Sequence, residues 1–126
     1  MELTYNDLKT EVSETMEDNS KLMLITLSGR INSQSWKDYY DSIFLRVVEE
    51  VENSSPENIE ISVDKVEMCN SSGIMSLFQW FKKLTTEEML SKTKIRILYS
   101  KNIEWQNSAL LTLFKGFSGK ISYESI

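Results

Sequence analysis

The strongest constraint on this chain is a change of hydrophobic period near its middle. Trp36, Tyr39, Tyr40, Ile43, Phe44, Val47, Val48 and Val51 recur at i, i+3, i+4, i+7 spacing. That spacing lays one apolar stripe along a helix from about Ser35 to Glu52, read as core packing rather than a ligand box. Ser33 or Ser35 is its cap, and Asn53-Ser54-Ser55-Pro56 ends it. Directly afterwards Ile59, Ile61 and Val63 alternate with Glu60, Ser62 and Asp64, the period-2 signature of a strand. Before the helix, the apolar run Leu22–Leu27 suits a buried strand closed by Gly29. Strand, helix and strand at these lengths imply a right-handed crossover and a largely parallel sheet.

The remaining elements extend that unit. Leu3, Tyr5, Leu8 and Val12 mark one edge strand over residues 3–12, and the acidic stretch Glu14–Ser20 reads as a turn. Asn70-Ser71-Ser72-Gly73 opens a second helix whose core face is Ile74, Leu77, Phe78, Phe81 and Leu84. Lys94–Tyr99 is a further strand. Ile103–Lys115 is a third helix carrying Leu110, Leu111 and Phe114, with Gly116 as its C-terminal cap. Ile121-Ser122-Tyr123 adds a short final strand. The expected architecture is a single α/β domain over 1–126: a mixed, mostly parallel sheet of four to five strands with three to four helices. The polar alternation of Glu60, Ser62 and Asp64 predicts that one sheet face is less covered than the other.

Composition narrows the chemistry. The 126 residues contain no histidine and one cysteine, Cys69. The commonest general base, the commonest zinc ligand and every Ser-His or Cys-His pair are thereby removed. No catalytic residue, metal or cofactor is expected, and Cys69 reads as a buried strand-end thiol rather than a redox sensor. The net charge of −5 repels phosphate backbones and anionic lipid, so neither nucleic acid nor a membrane surface is an expected partner. No run approaches the roughly 20 apolar residues of a membrane span, and Met1–Thr10 lacks the basic start and apolar run of a signal peptide. A cytoplasmic protein is expected.

In open α/β sheets, function collects where the carboxyl end of a strand meets a helix N-terminus. Here that place is Met68-Cys69-Asn70-Ser71-Ser72-Gly73-Ile74. Asn70 caps the helix and Ser71 and Ser72 begin it, beside free backbone amides. The residues alone admit two readings: a pair of serines that cap a helix, or an acceptor for phosphate at the positive end of a helix dipole.

Three segments carry a family likeness, in order. They are Leu27-Ser28-Gly29-Arg30-Ile31-Asn32, Ile61-Ser62-Val63-Asp64-Lys65-Val66-Glu67-Met68, and the stretch from Val66 through Lys82 with its Ser-Ser-Gly-Ile. Phe114-Lys115-Gly116-Phe117 fits the helix end near the C-terminus. Together they resemble the STAS domain family, in its anti-anti-sigma (anti-sigma factor antagonist) branch. That resemblance implies a partner switch. Ser71, with Ser72 as the alternative acceptor, is phosphorylated by an ATP-binding anti-sigma kinase, and a cognate phosphatase resets the cycle. It also implies a monomer or weak dimer, with Asn32, Asn70, Ser72 and Gly73 at the contact. Asn70 and Asn32 stand where the family has acids, which bears on the kinase step and not on the fold. Met75, Ser76, Gln79 and Trp80 lie off the core stripe of the second helix. Met75, Gln79 and Trp80 suit a contact surface, with Trp80 packed under the N-terminal strand or a neighbouring loop as the other reading. The competing functions are a STAS module that binds a small ligand, a constitutive interaction domain, and an enzyme using Ser71 as nucleophile.

Overall fold

A computed structural model describes residues 1–117 and 119–126. Six strands form one sheet: β1 (Glu2–Tyr5), β2 (Leu8–Glu17), β3 (Ser20–Ile31), β4 (Asn58–Cys69), β5 (Lys94–Tyr99) and β6 (Ile121–Ser125). Their order across the sheet is their order in the chain. β1–β2 and β2–β3 pair antiparallel; β3–β4, β4–β5 and β5–β6 pair parallel. Three helical segments make the crossovers: α1 over residues 36–54, α2 (Ser71–Thr86) and α3 over residues 104–117.

One face of the sheet is buried and the other is not. Met23, Ile59, Ile95 and Ile121 form one apolar row across four strands, and Val12, Ile25, Ile61 and Ile97 form the next. The intervening residues Leu24, Glu60 and Arg96 face the opposite side, where Arg96 pairs with Glu60 and, at 3.4 Å, with Glu124. The lower coverage of one face expected from the alternation in β4 is what the structure has. Against the buried face, α1 packs on α2 through Phe44 stacked on Trp80 (centroids 4.6 Å apart, 9° between planes). α2 meets α3 through Phe81 and Phe114. No helix among the described residues is long and apolar enough to cross a membrane.

The helix read from the apolar stripe is present. Its cap is Ser35, not Ser33, in a capping box with Asp38. Trp36 is half-exposed and packs on Tyr40 rather than in the core. Four expectations need correction. Residues 3–12 are two strands, because Asn6-Asp7 makes a tight turn with Asn6 at φ 51°. That split takes the sheet to six strands. Glu14–Ser20 is not a turn. β2 continues to Glu17 with both faces exposed, and only Asp18-Asn19 turns, both at positive φ as a two-residue hairpin requires. Gly29 does not close β3 but lies within it at φ +110°, where a Cβ would sit 1.9 Å from the Asp7 carbonyl oxygen. Gly116 is inside a tight helical turn over Lys115–Phe117, and the left-handed residue is Gly119 at φ +87°.

Candidate functional site

The last third of β4 is irregular. Its register with β3 shifts between Thr26 and Ser28 and again between Gly29 and Arg30, so β4 bulges twice before it ends. The ladder with β5 stops at Ser62–Leu98. β4 then delivers Asn70, whose N–H donates to the Ile31 carbonyl at 3.1 Å.

Asn70 uses every polar atom of its side chain. Oδ1 accepts from Gly73 N–H (2.9 Å), the N-cap bond of α2, and from Ser33 N–H (3.2 Å). Nδ2 donates to the Ser33 carbonyl (2.8 Å) and to Asn32 Oδ1 (3.0 Å). Two donors face one end of the amide and two acceptors the other, which fixes its orientation. The Asn32 backbone N–H donates in turn to Tyr39 Oη at 3.3 Å. One amide therefore ties the end of β3, the approach to α1 and the start of α2. An aspartate in its place accepts the first two bonds and makes neither of the others.

Gly73 is buried where α2 sits closest to the strands. A Cβ there would lie 2.7 Å from Ile31 Cγ2, 2.8 Å from Cys69 Sγ and 3.1 Å from Asn70 Oδ1. Its backbone is ordinary helix; close approach is what demands glycine. Ser76, also buried, donates from Oγ to the Gly73 carbonyl.

Ser71 is exposed in the first turn of this 16-residue helix and Ser72 is half-exposed. Neither hydroxyl makes a hydrogen bond among the described residues, so both are free to react or to be covered. Met75 and Gln79 follow Ser71 at i+4 and i+8, with Gln79 Nε2 3.9 Å from Met75 Sδ, and form one stripe. Met75 is 45% exposed and Met68, at the end of β4, 38%. Ser71 is thus bracketed by exposed thioethers of the soft, adaptable kind that suits a contact surface.

The structure brings Asn32, Asn70, Ser71, Ser72, Met75 and Gln79 to one end of the sheet. Gly73 belongs there as a packing residue. Trp80 does not: it is fully buried against Phe44 and cannot touch a partner. It is packed inside, as the other reading had it, but against α1 rather than under the N-terminal strand or a loop. Ser76, read with it as off the core stripe, is interior too. Sequence reasoning missed Met68, whose signal was the lapse of alternation through Val66-Glu67-Met68, and Ser33, whose backbone groups complete the clasp.

Cys69 is enclosed by the same packing, and burial pushes its thiol from an ordinary 9.0 up to about 12. The unfolded chain ionises this thiol above about pH 9 while the folded one does not. Stability is unaffected by Cys69 below that pH and falls as pH rises through the window from 9.0 to about 12. Denaturant unfolding at pH 7 and pH 10 should show wild type losing about 1 kcal/mol more than Cys69→Ala over that interval.

A mixed sheet grown strand by strand, with helices on one face and a serine pair opening the helix after a central strand, is a STAS-like α/β fold. Among solved structures, the crystal structure of an anti-sigma factor antagonist from Mycobacterium paratuberculosis is similar, with TM-score 0.61 and 18% identity over 95% of this chain and 89% of that one. The likeness is one of fold. No family model matches the chain, and no curated protein does.

Proposed function

We propose that this chain is a partner-switching regulator of the anti-anti-sigma type, acting as one domain across residues 1–126. Its partner is an ATP-binding anti-sigma or serine-kinase-like protein, bound over Ser71, Ser72, Met75, Gln79 and Met68 beside the Asn32–Asn70 clasp. Phosphorylation at Ser71, or at Ser72 as the alternative acceptor, releases that partner, and a cognate phosphatase restores binding. The observation that carries this reading is an exposed serine hydroxyl, unbonded among the described residues, in the first turn of a long helix, with exposed methionines three residues before and four after it in the chain.

The physics is consistent from sequence to switch. The positive end of α2 tolerates the added phosphate, so the fold stays as it is. The same group places about −1.5 to −2 charges on an apolar contact, where misplaced charge costs several kcal/mol. A family acid at 70 would bring a carboxylate to the acceptor; Asn70 brings a neutral amide with every atom engaged. Any carboxylate at the transferred phosphoryl group is therefore the kinase's, while this chain offers the positive end of α2. The reading is of a binding protein rather than an enzyme, cytoplasmic, monomeric or weakly dimeric. It takes neither nucleic acid nor membrane as partner.

Site-resolved mass spectrometry of the protein from its own cells, with co-purified proteins identified, tests this directly. The expected result is phosphate on Ser71 and a kinase-like partner whose affinity falls on the order of 100-fold or more in Ser71→Glu. An unmodified Ser71 under every growth condition, with binding unchanged in Ser71→Glu, would leave a constitutive interaction module. A thermal shift with one metabolite, unaffected by Ser71→Ala, would point instead to a small-ligand module.

A further inference from the structure

From Val63 to Cys69, β4 has β3 on one side and no strand on the other. Two side chains from the start of α3 take the missing strand's place. Gln106 is fully buried; its Nε2 donates to the Val63 carbonyl at 2.8 Å and to the Val66 carbonyl at 2.9 Å. Its Oε1 accepts from the Ser100 N–H at 2.7 Å, just past the end of β5. Trp105 Nε1 adds a second donor to the Val66 carbonyl at 2.8 Å. One glutamine thus joins the end of β5, the start of α3 and the bulged end of β4.

The chemistry of this contact is specific. Leucine at 106 takes these partners from the Val63 carbonyl and the Ser100 N–H and leaves the Val66 carbonyl with the Trp105 indole alone, and glutamate sets a carboxylate against two carbonyl oxygens. Helix α3 adopts a π-helical turn over Gln106–Leu110, a local widening that recurs where a helix is bent to serve a site. Trp105 is half-exposed beside it, with its indole N–H inside and part of its ring in reach of solvent.

We infer that Gln106 and Trp105 are positioning residues for the Ser71 segment: a side-chain latch on the Val66 carbonyl that couples residues 66–73 to the loop at 100–106. This rests on the reading of Ser71 as the control position and assigns that position its route into the fold. Charge on Ser71, or a partner seated on Met68 and Met75, loads the chain from Cys69 to Gly73. Behind that load stand the β3 pairing of Met68 and Cys69 and the Asn70 clasp, and behind those the latch is the attachment to α3.

The full-length protein in isolation tests the latch. Its three tryptophans give three indole N–H resonances, and Trp105→Phe assigns one by its loss. In Gln106→Leu, and in the milder Trp105→Phe, amide exchange at residues 66–73 should accelerate by about tenfold while β1–β2 and β5–β6 keep their protection. Ser71→Glu should move the Trp105 indole resonance more than those of Trp36 and Trp80. Uniform acceleration across the sheet, unchanged exchange at 66–73, or a Trp105 resonance indifferent to Ser71→Glu would each overturn the inference. The two readings fail separately. A Ser71 never phosphorylated in cells removes the control position but leaves the exchange result standing; a failed exchange result removes the latch and leaves a phosphorylated Ser71 untouched.

Discussion

Trp80→Ala is expected to be the most damaging single substitution in this chain, costing about 3–5 kcal/mol. Trp80 is fully buried, stacked on Phe44 of α1 and 5.4 Å from the Phe81 ring. Truncation removes a wedge of indole size from between two helices. For a chain of this length that lowers Tm by roughly 10–20 °C, readable in a thermal melt. Trp80→Phe should cost clearly less. The indole Nε1 is buried without a hydrogen-bond partner among the described residues, so phenylalanine keeps a ring against Phe44 while removing an orphaned donor. Equal losses in the two variants would mean that the indole N–H is satisfied, and that the stack is not what holds α1 to α2.

Asn70→Ala is the second large effect, about 2–4 kcal/mol. The N-cap bond to Gly73 accounts for about 1 kcal/mol of it. The bonds to Ser33 N–H, Ser33 carbonyl and Asn32 Oδ1 supply the rest at about 0.5–1.5 kcal/mol each, discounted for solvent access at this partly exposed site. Asn70→Asp separates the terms. It keeps the cap, and its charge gains from the helix dipole, but it forfeits both Nδ2 bonds and turns a carboxylate oxygen toward Asn32 Oδ1. Chemical denaturation should therefore rank Asn70→Asp between wild type and Asn70→Ala. If Asn70→Asp matches wild type, the two Nδ2 bonds to residues 32–33 contribute no more than the dipole gain of the added charge. Adding a second charge at the other end, with Asn32→Asp, should worsen Asn70→Asp by opposing two carboxylates.

What could be read in advance was whatever is written locally. The α1 stripe, the alternation of Ile59, Ile61 and Val63, and the strand at Lys94–Tyr99 are all periodic patterns, and each is where it was expected. The Asn70 cap is local as well, since its bond reaches three residues ahead. The second half of the clasp is not, because Asn32 and Asn70 are 38 positions apart. Sequence likeness marked both residues and gave no sign that they touch. β2 was cut short because residues 13–17 are polar on both faces, and a strand with nothing to bury carries no hydrophobic period. Trp80 could be read as contact surface or as packed because the stripe is centred on Leu77 and Phe81; the arrival of α1 turns the buried arc toward Ser76 and Trp80. Gln106 gave no signal at all. A glutamine in a helix reads as solvent-facing unless one knows that two strand carbonyls elsewhere have lost their ladder.

The strand order has one more consequence, and it concerns how the molecule comes into being. Every strand lies beside the one made just before it, so no segment has to wait for a distant part of the chain before it can pair. The hairpins of β1, β2 and β3 supply a template at the start of synthesis, and each later strand arrives with its helix at an edge that already exists. Such a chain can assemble as it leaves the ribosome, in the direction in which it is made. The segment from Cys69 to Gly73 is anchored to β3 early, yet gains its hold on Val63 and Val66 only when residues 105–106 emerge. A nascent chain that ends before residue 105 therefore carries the Asn70 clasp beside Ser71 without the hold on Val63 and Val66 behind it.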